Sequence, residues 1–188
     1  MNSKIKFIAL SALASAMAFT SVASQAAVDG SVKVKFQSSI TAASCEVGVI
    51  DEDGNINRSN TIILPSLTST QAAKVDSGVV GEAVNFSIGP LNPVECAKVA
   101  TSYDVVATGD QVTTDVLRNL YGSGPANMGV QMKLASGASI LDTPLMDQDI
   151  ASADDTIIDF KSQLFHLDDQ PVDEGLIGSV ATVTTAYY

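Results

Sequence analysis

Apolar and polar side chains alternate early in the chain, with Val32, Val34, Phe36 and Ile40 on even positions and Lys33, Lys35, Gln37 and Ser39 on odd ones. That period of two predicts a strand with one buried face. Shorter apolar segments recur downstream between turn residues. Ile62, Ile63 and Leu64 stop at Pro65, and Val84, Phe86 and Ile88 alternate with Asn85 and Ser87 until Gly89 and Pro90 break the run. Residues 103–108 predict another strand, and residues 128–134 followed by Ile140 and Leu141 predict a hairpin turning near Gly137. Residues 157–167 supply one or two more, and residues 180–188 alternate small, Thr and aromatic side chains. The acidic stretch 168–174, which contains Pro171, reads as a solvated loop. Helical spacing occurs at 113–120, where Val116, Leu117 and Leu120 share a face, a pattern that also fits an irregular connection. Many short strands separated by turns predict an all-β sandwich or barrel.

The first residues have a different character. Lys4 and Lys6 precede an apolar stretch over about residues 7–19, and small residues lead to Ser24, Gln25 and Ala26. This is the layout of a secretory signal peptide cleaved after Ala26. The apolar stretch falls short of the ~20 residues that span a bilayer, so stable membrane insertion is not expected. Of 188 residues, 1–26 then form the signal and 27–188 one exported domain with its own core. Losing Lys4 and Lys6 from ten basic residues leaves eight against 21 acidic ones, a formal charge of about −13. Such a charge disfavours nucleic acid and anionic membrane surfaces as partners.

Cys45 and Cys96 are the two cysteines of the chain. Export places them where disulfides persist, and one bridge between them is expected. A metal pair or a reactive thiol is the alternative, without CxxC spacing or clustered histidines to support it. Asp51, Glu52, Asp53, Gly54 and Asn55 superficially suggest a calcium loop, but the twelfth position of an EF-hand would be Ile62 rather than glutamate. A solvated hairpin turn is the better reading. His166, the one histidine, has no evident nucleophile or ligand beside it in sequence, which points to a structural or surface role and to no enzymatic chemistry.

These residues resemble the pilin subunits of chaperone-usher fimbriae of the type 1 and P-pilus kind. Phe36 stands nine residues and Ile40 five residues before Cys45, and Phe86-Ser87-Ile88 approaches Cys96, as similar residues do in that family. Ala126-Asn127-Met128-Gly129-Val130-Gln131-Met132 is similar to the family's internal A-x-x-v-G-V-Q-I block, and Phe160, Ser162 and Leu164 fit the strand after it. Gly175, fourteenth from the last residue, and the penultimate Tyr187 match the glycine and aromatic of the family's terminal strand. Two departures stand out: Ser38 occupies the place of a usual glycine, and about three extra residues, including Gly89, Pro90 and Pro93, lie before Cys96 and are expected to lengthen a loop.

The resemblance implies an incomplete immunoglobulin-like β-sandwich lacking its final strand, with residues 44–188 as the pilin domain and 27–43 as a donor-strand extension. It implies that Val32, Val34, Phe36, Ser38 and Ile40 enter the groove of another subunit, while Gly175, Ala181, Val183, Thr185 and Tyr187 mark the strand that lines it. Its partners would be a periplasmic chaperone, an outer-membrane usher and identical or related pilin subunits, with no cofactor. The product would be an extracellular fimbria contributing to adhesion. Burying the two valines, Phe36 and Ile40 would give a gross gain of roughly 6–12 kcal/mol before ordering costs. An open groove also predicts a free monomer of poor solubility without its chaperone. Alternatives are a minor or tip-adaptor pilin, and a self-contained secreted β-sandwich that binds a carbohydrate or protein.

Overall fold

The computed structural model describes residues 45–188 together with the backbone of the strand Val32–Gln37. The predicted signal segment lies outside the described residues, as do Ser38 and Ile40. Two sheets pack face to face. The smaller contains β1 (Val32–Gln37), β4 (Thr61–Leu64), β6 (Ser102–Gly109), β10 (Leu145–Asp149) and β12 (Ser179–Tyr187). The larger contains β2 (Val47–Ile50), β3 (Ile56–Asn57), β5 (Gly78–Pro90), β7 (Gln111–Thr113), β8 (Val116–Arg118), β9 (Met128–Leu134) and β11 (Ile158–His166). Their strand orders are β10-β6-β12-β1-β4 and β3-β2-β5-β11-β9-β8-β7. Two single helical turns, α1 (Ser69–Ala72) and α2 (Pro93–Cys96), complete the connections with a short 3-10 turn, Asp154–Thr156.

Alternation in sequence becomes alternation in burial. On β11, Ile158, Phe160, Ser162, Leu164 and His166 are buried while the residues between them are not. Phe160 stacks on Phe86 of the neighbouring β5 at 5.3 Å between ring centroids. Each fully buried aromatic or aliphatic side chain of this kind contributes roughly 1.5–3 kcal/mol. Gly81, at φ +77°, takes a left-handed conformation where the β5–β11 register slips, a bulge that a side chain would strain.

Four local expectations are corrected. Gly89 and Pro90 do not break β5: they pair with Gly48 and Val47, and Pro90 ends the strand, where its missing N–H interrupts no interior ladder. Pro93 does not lengthen a loop but opens α2, whose first turn is capped by Asn92 Oδ1 accepting from Glu95 N at 3.2 Å. Residues 113–120 are not helical: β7 and β8 cover half of them, with Leu117 in the core and Val116 lying over Gly129, so that adjacent residues are both buried and mimic a helical face. The turn at Gly137 forms, with its N–H bonded to Leu134 O at 2.8 Å, but Ile140 and Leu141 do not return along β9. They cross to the other sheet, where Ile140 O accepts from Ala107 N at 2.9 Å and Leu141 bridges Ala107.

The Asp51–Asn55 segment is a turn joining β2 to β3, with Asp51 Oδ1 accepting from the N–H groups of Asp53 and Asn55. His166 is buried at the end of β11. Its Nδ1 lies 2.5 Å from Val75 O, and its Nε2 lies 3.0 Å from Gln170 O and 3.2 Å from Asn127 Nδ2. The ring therefore ties the acidic loop after β11 to the approach to β5, a structural role.

Candidate strand-exchange slot

The smaller sheet has a seam. β4 and β12 do not pair with each other, and among the described residues the strand joining them is β1. β4 presents Ile62 and Leu64 to the core and leaves Ile63 63% exposed, while β12 buries Ser179, Ala181, Val183 and Thr185. The gap between these two walls is one strand wide. Register sets the face of its occupant: Val32 is opposite Leu64, Val34 is opposite Ile62 and Ser179, and Phe36 is opposite Ala181. Positions 32, 34 and 36 thus share a face with buried partners. Lys33 and Lys35 are opposite Ile63 and Thr61, with Lys35 also beside the exposed Val180.

Both ends of β12 are held by side chains. Before it, Gly175 and Gly124 allow two backbones to meet. A Cβ on Gly124 would fall 1.9 Å from Leu176 O, and one on Gly175 would fall 2.8 Å from Gly124 Cα. Asn119 fixes the same junction: Oδ1 accepts from Tyr121 N and Gly178 N, each at 3.1 Å, and Nδ2 donates to Leu176 O at 3.1 Å and Pro125 O at 3.2 Å. Ser179 Oγ adds a bond to Arg118 O at 2.7 Å. At the far end, Tyr187 packs against a small cluster of Cys45, Cys96 and Ala100 and donates its hydroxyl to Thr156 O at 2.8 Å. Burial, with Tyr103 nearby, pushes the Tyr187 phenol well above its ordinary value. Within the slot wall, Thr185 Oγ1 is buried and has no hydrogen-bond partner among the described residues, and the same holds for Ser162 Oγ on β11.

Cys45 is bonded to Cys96, as expected from the cysteine count, with 5.1 Å between their Cα atoms. Because Tyr187 packs on this pair, the disulfide places the root of the N-terminal run beside the C-terminal end of β12. β1 runs parallel to β12 and antiparallel to β4. It lies in the slot of its own chain.

No protein-family model matches the sequence, and no curated protein does either. Among solved structures, the chain is similar to the P pilus rod subunit PapA, with a TM-score of 0.55 over 79% of this chain and 95% of that one at 15% identity. The fold is a pilin fold. The antigen and type I fimbria protein of Burkholderia pseudomallei aligns over 84% of this chain and 90% of its own at 14% identity, with a TM-score of 0.43 that adds nothing to the assignment. Within this pilin fold, the sequence-predicted residues Ala181, Val183 and Thr185 form one wall, Tyr187 anchors its end and Gly175 its approach. Ile62 and Leu64, read in sequence as nothing more than a short strand, are the opposite wall. Asn119 and Gly124 carried no signal, because what they meet at Leu176 and Gly178 is remote in sequence and near only across the fold. Among the described residues no helix is long and apolar enough to cross a membrane.

Proposed function

We propose that this chain is a structural subunit of an extracellular fimbria, polymerising when the N-terminal arm of one copy fills the slot between β4 and β12 of the next. One observation carries the reading: the strand that completes the smaller sheet is a peripheral N-terminal run lying ahead of the disulfide, rather than a strand embedded within the domain. Positions 32, 34 and 36 are opposite buried wall residues, and the same alternation carried on in the sequence makes Val32, Val34, Phe36, Ser38 and Ile40 the donor face, with Ala181, Val183 and Thr185 part of its receptor. Backbone pairing supplies affinity and the alternate side chains supply register. A periplasmic chaperone fills the slot before assembly and an outer-membrane usher exchanges it for an arm. The chain does no chemistry of its own.

The deciding experiment uses a form beginning at residue 44 and a synthetic peptide covering residues 28–43. Binding, with a rise in melting temperature, is the expected result; a peptide that neither binds nor stabilises sinks the polymerising reading. The self-contained binding module is favoured by one fact, the seating of β1 in its own slot. Electron microscopy of cells producing the chain with its chaperone and usher separates the two, since a self-contained module forms no fibres.

A further inference from the structure

We propose that His166 is a pH-dependent latch: its imidazolium pins the acidic loop that leads into β12, and loss of the ring proton releases that loop. His166 is 1% exposed at the end of β11, opposite Gly78 of β5 and Met128 of β9. Each ring nitrogen faces a backbone carbonyl, Nδ1 that of Val75 at 2.5 Å and Nε2 that of Gln170 at 3.0 Å. A neutral imidazole carries one N–H and one lone pair. Either neutral tautomer therefore sets a lone pair against a carbonyl oxygen, Nε2 against Gln170 or Nδ1 against Val75. The imidazolium donates to both.

The neighbouring Asn127 amide favours the charged ring. Its Nδ2 lies 3.2 Å from His166 Nε2, 3.1 Å from Asp168 Oδ1, 3.1 Å from Gln170 O and 3.3 Å from Pro171 O. An amide nitrogen has two N–H groups, so with a neutral ring they are divided among Nε2 and three oxygens. With a charged ring Nε2 donates to Gln170 O, and the amide serves Asp168 and Pro171 with one N–H each. Turning the amide over would set Oδ1 against the same oxygens. The Asp168 carboxylate stands 3.8 Å from Nε2 as the counter-charge. Its carboxyl is held below the ordinary value, first by Gln170 N–H and then by the Asn127 amide. Of the other charged residues in the segments around the ring, Lys74 and Asp76 flank Val75 and Asp169 follows Asp168, all exposed. Gly78, Val79, Asn127 and Met128, which bring β5 and β9 to the ring, carry no charge. The latched loop runs on into the contact of Gly175 with Gly124 and then into β12. Asn127 and Gly124 belong to one segment, Gln170 and Gly175 to the other, so latch and glycine contact fasten the same two segments.

Between about pH 5 and 8 histidine changes charge while carboxylates ordinarily stay ionised and tyrosines neutral. His166 is the one histidine of the chain, so nitrogen NMR of the histidine-labelled protein reads its protons directly. Both ring nitrogens should carry protons in the folded protein at about pH 5.5. Amide exchange read by mass spectrometry, corrected for its intrinsic pH dependence, should show residues 167–178 at least about 10-fold better protected at about pH 5.5 than at about pH 8, the scale of one hydrogen bond to a charged group. Protection of β11 itself should change less. His166→Gln should abolish the loop's pH ratio, and Asp168→Asn, which removes the exposed counter-charge and leaves the buried ring in place, should narrow it. A neutral ring in the folded protein at the lower pH, or a loop equally protected at both, overturns the latch. So does a folded His166→Gln protein that keeps the wild-type ratio; if that variant does not fold, the wild-type ring state and the Asp168→Asn ratio decide.

Discussion

Removing the disulfide with Cys45→Ala and Cys96→Ala tests whether chain topology or local packing stabilises this domain. The bond closes a segment with a sequence separation of 51, and the loss of that constraint from the unfolded chain corresponds to about 4 kcal/mol. Local packing offers little in compensation, because the cluster around the bond consists of Cys45, Cys96 and Ala100 with Ile150 and Tyr187 at its margin. With a urea m-value of roughly 2 kcal/mol/M, the unfolding midpoint should fall by roughly 2 M. The measurement is urea unfolding followed by far-ultraviolet circular dichroism on three samples: the oxidised wild type, the chemically reduced wild type and the double variant. If chain entropy is responsible, the last two should agree within about 1 kcal/mol. A midpoint shift below roughly 0.5 M would refute the argument. So would a destabilised double variant beside an unaffected reduced wild type, which would locate the loss in packing of the cluster.

Three further outcomes follow from the anchors of β12 and from its neighbours. Asn119→Ala removes four hydrogen bonds, two within residues 119–125 and two joining that segment to Leu176 and Gly178, and should lower stability by roughly 2–4 kcal/mol in thermal melts. Tyr187→Phe removes the bond to Thr156 O and should cost about 1 kcal/mol near neutrality. Because the folded-state pKa of Tyr187 is raised, its contribution is complete below the ordinary value of 10.0 and is lost as pH rises towards the folded value; melts in alkaline buffer should therefore fall less steeply for the Phe variant. Asp155 is held below its ordinary value mainly by the Ser152 hydroxyl and N–H, and Asp168 by Gln170 N–H and then the Asn127 amide. Both contributions are present above the ordinary value of 3.8 and disappear as pH falls through the lower folded values, so Asp155→Asn and Asp168→Asn should flatten the acid limb of melting temperature against pH.

Strand positions and their buried faces were legible in sequence because alternation is a local property of extended backbone. Val84, Phe86 and Ile88 announced β5, and Ala181, Val183 and Thr185 announced the buried side of β12. Two cysteines in a chain whose first residues read as an export signal sufficed to pair Cys45 with Cys96. Partners and polarity were beyond such signals. Residues 116 and 117 read as a helical face because both are buried although adjacent on one strand, and that burial exists only after folding. Gly89 and Pro90 read as a break although they pair with β2, since a strand end tolerates what a strand centre does not. The run from Val32 to Gln37 advertised a strand with one apolar face, which is all that residue spacing determines. That it lies between β4 and β12 of its own chain, parallel to β12, is a matter of three-dimensional position that residue order alone does not contain.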